Sequence, residues 1–361
     1  MDLLASESSS SSRILTARHV SAEIRHPEVN NAVNTTSALL CHSYSVLPDF
    51  GSYYTALNTY ALVTWICGFF VLAALCILYG VTLRSALKHW PKTKVNLAVV
   101  LAVYPIVAAA GLLTLIVPRA RILSEAIAQE TVMVAMYHLY FMIIAECGGP
   151  DQLISRSSGS LMETRVLPCC CWPCCLLPRP QVQKKCLTRL RYLILQMPIV
   201  QALIYIIVLV LWAEDVELYR NNFILIQPFI AVSILSGIWG MMICIRAAEA
   251  IGTRPRARFL ALQLVLLIVK LQYGIAKALP ELFQFSCIVA LNPSVFVHMI
   301  QNMIMMAEML LLSLWAWRLY SVQPEKSTEK VPQVVIAVLE DSLHSIDLKK
   351  DIEKSYKNER I

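Results

Sequence analysis

The sequence predicts an all-α polytopic membrane protein with seven transmembrane helices, its N-terminus outside and its C-terminus cytoplasmic. Three observations predict it. Seven mostly apolar stretches follow one another between Leu57 and Trp317, each about as long as the ~20 residues a helix needs to cross a hydrocarbon core. The mean hydropathy is +0.60 with only 15% charged residues, far from the balance of a soluble domain. Basic residues are concentrated in alternate loops, which sets the orientation.

The segment from Met1 to Phe50 is polar and carries a serine run, Ser8 to Ser12. Residues 1–56 therefore read as an extracellular tail and not as a cleavable leader. Within this tail, Asn34-Thr35-Thr36 is an N-glycosylation acceptor triplet, which suits an external segment. The first span, Leu57 to Leu83, then serves as the uncleaved insertion signal. Val95 to Val117, Ala126 to Ala145, Tyr192 to Trp212, Phe223 to Cys244, Phe259 to Leu279 and Ser294 to Trp317 follow as spans two to seven. The transmembrane domain thus occupies residues 57–318, with a cysteine-rich cytoplasmic loop at 147–191.

Arg84, Lys88, Lys92 and Lys94 follow the first span, a larger basic set from Arg156 to Arg191 follows the third, and Arg246, Arg254, Arg256 and Arg258 follow the fifth. The other loops hold Arg119 and Arg121, then Arg220 beside Glu214, Asp215 and Glu217, then no Lys or Arg after Leu279 before the last span. By the positive-inside rule the first group is cytoplasmic. Residues 319–361 form a cytoplasmic tail of mixed charge that names no partner. The net charge of +7 lies mostly in loops facing anionic lipid and does not argue for nucleic acid.

The twelve cysteines are unevenly spread. Cys169, Cys170, Cys171, Cys174 and Cys175 form the string CCCWPCC in the loop after the third span, on the reducing side where disulfides do not persist. S-acylation of a juxtamembrane loop would pin it, with Trp172, against the inner leaflet. A thiolate zinc site starting from Cys171 and Cys174 is an alternative, although a second, separated pair is lacking. Unmodified thiols at the interface are a third. On the external side, Cys41 and Cys287 can close a disulfide that ties the tail over the outer mouth. Cys67, Cys76 and Cys244 read as small packing residues within spans.

Polar residues inside spans are costly and mark a pathway or a paired lock. In the sixth span Gln263, Lys270 and Lys277 recur at seven-residue spacing, so they share a face. In the seventh, His298, Gln301, Met305 and Glu308 lie on one stripe. Lys270 and Glu308 lie at similar depth, which suggests an ion pair. Either it lines a route for an anionic solute, with Gln263, Gln272, His298, Gln301 and Asn302 supplying hydrogen bonds, or it holds two helices in register. Lys277, nearer the outer end, is either a further contact for that solute or, the preferred reading, a side chain that snorkels to the headgroups. His138 reads as a helix-contact residue. Pro105, Pro198 and Pro228 interrupt spans, which a membrane tolerates where the backbone faces protein or a wet cavity.

The order of these features resembles the alpha subunit of the organic solute transporter. The residues that carry the resemblance are Pro118-Arg119 with Glu125, then Glu146 with Gly148-Gly149, the CCCWPCC string, the Phe259 to Gln272 run and Glu308. Lys270, Trp172 and the N-terminal region depart from the family pattern, as in a divergent, alpha-like member. The resemblance implies facilitated, bidirectional, gradient-driven transport of bile acids, conjugated steroids and similar amphipathic anions across the plasma membrane, with an endomembrane as the other location. It also implies a single-span beta partner; a homo-oligomer is the alternative.

No Gly-x-x-x-x-Gly-Lys-Ser/Thr loop occurs, so ATP-driven pumping is not expected. Neither a cofactor nor an enzymatic activity is expected, because no Asp-His-His-Cys string and no His-Glu-x-x-His helix is present. A seven-span receptor is the rival class, since Asn292-Pro293-Ser294-Val295-Phe296 is similar to a receptor motif. That motif here opens the span at the outer end, whereas in receptors it belongs near the cytoplasmic end. A trafficking or scaffold subunit is the third class.

Overall fold

The structure, a computed structural model, describes residues 50–157, 166, 181–282 and 293–321. Seven helices are long and apolar enough to cross a membrane. They are α1 (Thr59–His89), α2 (Lys94–Ile116), α3 (Arg121–Glu146), α4 (Lys184–Glu214), α5 (Val216–Ala250), α6 (Arg256–Leu282) and α7 (Pro293–Ser321). Short helices Phe50–Leu57 and Pro150–Arg156 precede α1 and follow α3. No β-strand occurs among the described residues. Asn34, Cys41, Cys287 and Cys169 to Cys175 lie outside the described residues.

Proline and glycine punctuate the helices. Pro91 and Pro118 each open a 3-10 turn that leads directly into α2 and α3. Proline suits that place because a first turn needs no N–H there. As a result α3 begins at Arg121 and not at Ala126. Arg121 and Glu125, which the sequence assigns to a loop, become part of the helix. At its far end Gly148 (φ 88°) and Gly149 (φ 102°) take the left-handed conformation. There the Gly149 N–H donates to the Ile144 carbonyl at 3.0 Å, closing α3. Pro105, Pro198 and Pro228 lie inside helices that continue past them.

Helices in lipid gain nothing from hiding apolar surface from each other, so close approach and packing hold the bundle. α2 is its axis, touching α1, α3 and α7; 61% of the central window of its span is buried against 17% for α1. α3 touches α2, α4, α5 and α6. Glycines mark the tight crossings. A Cβ at Gly68 of α1 would lie 2.7 Å from Leu112 of α2, and one at Gly237 of α5 would lie 2.1 Å from the Met197 sulfur of α4. Phe69, Phe70, Ile224, Phe229 and Leu311 are exposed, as suits surfaces that face acyl chains. Cys244 is buried, as expected, but Cys67 and Cys76 are exposed on α1. They do not pack between helices, because α1 is the least covered span. His138 makes the expected helix contact, its Nδ1 lying 2.8 Å from Asn96 Oδ1 of α2.

Candidate functional site: a polar seam between α3 and α6

The stripe predicted on the sixth span does share a face, and the bundle turns that face toward α3. Gln263 Nε2 lies 3.9 Å from the Met136 sulfur. Further along, Lys270 interacts electrostatically with Glu125. The Tyr273 hydroxyl donates to the Arg121 carbonyl at 3.0 Å. In the opposite direction, Arg258 Nη2 pairs with Glu146 at 2.7 and 2.9 Å. Because α3 and α6 run antiparallel, these contacts form one polar seam from end to end.

Glu125 is the hub of one half of the seam. Gln129, one turn on, donates to Glu125 Oε1 at 2.9 Å. Lys270, Arg121 and Lys277 all act on this carboxylate through their charge, and Tyr205 of α4 interacts with it electrostatically. Three cations on α3 and α6 therefore act on one buried carboxylate, which gathers charged side chains in this half of the seam. Lys277 ends over the Phe223 ring of α5, 4.2 Å from its centroid, in a cation–π contact.

Arg121 joins the seam to α7. Its Nη1 is 2.5 Å from His298 Nε2. A guanidinium only donates, so Nε2 carries the lone pair and Nδ1 the proton. His298 Nδ1 then donates to Gln301 Oε1, 2.9 Å away. Asn302 Nδ2 donates to the His298 carbonyl at 2.7 Å. Tyr53, Thr114, Arg121, His298 and Met299 line a small cleft at this end.

The expected Lys270–Glu308 pair does not form. Glu308 instead accepts from Gln272 Nε2 at 2.5 Å, while Lys270 faces Glu125. The reason is helical rotation: Lys270 and Gln272 are separated by about 200° around α6, so only one of them can face α7. Several buried polar atoms along the two faces have no partner among the described residues: Gln129 Oε1, both polar atoms of Gln201, Gln272 Oε1 and Gln301 Nε2. Such atoms need water or a solute, since a bare buried polar group is costly. Among the described residues no group of three His, Cys, Asp or Glu is placed to hold a metal ion.

Sequence reasoning missed Arg121, Tyr205 and Tyr273, and used Glu125 only as a family signpost. One signal was available. Arg121, Glu125 and Gln129 follow a four-residue spacing, which is one helical face; reading the segment as a loop hid it.

Seven long apolar helices with a polar seam inside them define a multi-pass membrane protein. The chain belongs to the organic solute transporter Ostalpha family, whose family model matches residues 63–325. It is 25% identical over 303 residues to an organic solute transporter alpha-like protein of Drosophila melanogaster, covering 82% of this chain and 90% of that one. It is 24% identical over 237 residues to an organic solute transporter subunit alpha of Danio rerio, covering 64% of this chain and 72% of that one. No solved structure matches it.

Proposed function

We propose that this protein is a facilitative, bidirectional carrier of amphipathic organic anions, of the bile acid or conjugated steroid class, in the plasma membrane. The observation that carries this reading is the half-seam in which the charges of Arg121, Lys270 and Lys277 all act on the Glu125 carboxylate inside the bundle. Charged side chains gathered inside a bundle mark a solute route, and the exposed apolar flanks suit a solute that is itself half lipid-like. Gln263 lies on the same seam, while Gln272, His298, Gln301, Asn302 and Glu308 supply its neighbouring hydrogen-bonding wall. The proposed role is carriage and not catalysis, driven by the solute gradient.

The Danio rerio relative is named a subunit, which supports a partner chain; a single-span partner is the proposed one. Positive-inside charge supports an external N-terminus, with Asn34 glycosylated and Cys41 bonded to Cys287. Acylation of Cys169, Cys170, Cys171, Cys174 and Cys175 would anchor the cytoplasmic loop.

The test is uptake and efflux of labelled taurocholate and estrone sulfate in cells expressing this chain, with and without a single-span partner, normalised to surface protein. Saturable flux in both directions that follows the imposed gradient is expected. Absence of flux at normal surface level, both with and without the partner, overturns the reading.

A further inference from the structure

The other end of the seam carries a second charged group, and its hydrogen bonding is incomplete in a particular way. Arg258 of α6 is 8% exposed. It gives a single nitrogen, Nη2, to both oxygens of Glu146, at 2.7 and 2.9 Å. A well-made Arg–carboxylate pair uses two nitrogens in parallel. Here Nη1 is buried and has no partner among the described residues. Two neighbours share the condition. The Trp90 ring lies under the guanidinium, 4.7 Å from Cζ, and its Nε1 is also without an acceptor. Tyr320 of α7 interacts electrostatically with both Arg258 and Glu146, and its hydroxyl is equally unpartnered. All three residues are more than nine-tenths buried.

Three buried residues gathered at this ion pair, Arg258, Trp90 and Tyr320, each hold a donor without an acceptor among the described residues. An oxoanion headgroup seated among them could accept from all three; the Glu146 carboxylate, turned to Nη2 alone, does not. A pair that served only to hold α3 and α6 together would gain by using Nη1, since leaving a charged donor bare in the interior is costly.

We propose that Arg258, with Trp90 and Tyr320, is a second anion site, where the carboxylate, sulfonate, sulfate or phosphate head of an amphipathic molecule displaces Glu146. Glu146 then acts as a resident competitor that keeps the site closed between ligands. Only the statement that this ligand is the carried solute rests on the carrier reading above. A phospholipid head has the same chemistry.

The full-length chain, with its partner where delivery requires one, is purified in detergent and its melting followed with three probes: taurocholate, a lysophosphatidic acid and an uncharged bile alcohol. Either anion raising the Tm supports the site, and which of them acts names the source. Glu146→Gln lowers the half-effect concentration about tenfold, near the lower end of one charge-assisted hydrogen bond. Arg258→Met abolishes the response and Arg258→Lys weakens it. Should Arg258→Met fail to fold, the Glu146→Gln shift still decides. An equal response to the bile alcohol, or no shift with Glu146→Gln, overturns the proposal. So does a charge-swapped double variant, Glu146→Arg with Arg258→Glu, that keeps the parent's affinity, because a simple lock would tolerate the swap. Flux measured alongside separates the two readings. Saturable flux with a KM untouched by Glu146→Gln removes only the identity of this ligand with the carried solute and leaves the carrier; an Arg258-dependent shift without flux keeps the site and removes the carrier.

Discussion

At the scale of the residue, the arrangement turns on which carboxylate answers Lys270. Depth in the membrane pairs it with Glu308, but rotation around α6 directs it to Glu125. A double-mutant cycle measures the difference. Glu125→Gln combined with Lys270→Met should show a coupling of about 1–2 kcal/mol, and Glu308→Gln with Lys270→Met less than about 0.5 kcal/mol, read from melting in detergent. Equal coupling to the two carboxylates would contradict the geometry. Glu125→Gln alone should be the more damaging single change, costing about 3 kcal/mol, because it removes the carboxylate on which the charges of Arg121, Lys270 and Lys277 all act. Lys270→Met removes one cation of three and should cost less.

Helices meet in this bundle where small residues let backbones close up. The α4–α5 crossing depends on Gly237, where an added methyl would overlap the Met197 sulfur at 2.1 Å and its Cγ at 2.2 Å. Met197 is fully buried, so the methionine cannot simply swing aside. Gly237→Ala should destabilise the protein by about 1–3 kcal/mol, the usual cost of overpacking. By contrast, Gly80→Ala, where an added Cβ meets nothing within 4 Å, should be neutral or slightly stabilising, since alanine is the better helix former. Comparing the two melting temperatures separates crowding from any general effect of losing a glycine.

For the whole molecule, the proposed orientation puts two modifications on opposite sides of the membrane. The glycan at Asn34 should be removed from intact cells by an external glycosidase, and Asn34→Gln should abolish that mobility shift. A hydroxylamine-sensitive acyl label should be lost when Cys169, Cys170, Cys171, Cys174 and Cys175 are changed to serine, while the glycan stays. Loss of the acyl label should also loosen the loop from the membrane without changing the seven spans, whose helices are set by their own composition. A glycan that resists external enzyme, or an acyl label untouched by the five changes, would reverse this arrangement.

Much of the architecture was legible because the bilayer asks a question that a single segment can answer. Whether about 20 residues are apolar enough to cross is decided within those residues, so all seven spans could be read one by one. The face shared by Gln263, Lys270 and Lys277 was legible for the same reason, as it follows from helical spacing alone. What that face meets was not. The Lys270–Glu125, Arg121–His298 and Arg258–Glu146 partnerships join helices far apart in the chain, and the rotation of each helix in the bundle is set by packing at contacts such as Gly68–Leu112 and Gly237–Met197. The sequence by itself determined that this chain has seven membrane-spanning stretches and which residues are polar within the stretches it marks out. Only the tertiary structure decided that those residues line a seam between α3 and α6, because a helix's period sets which residues share a face while its neighbours set where that face points.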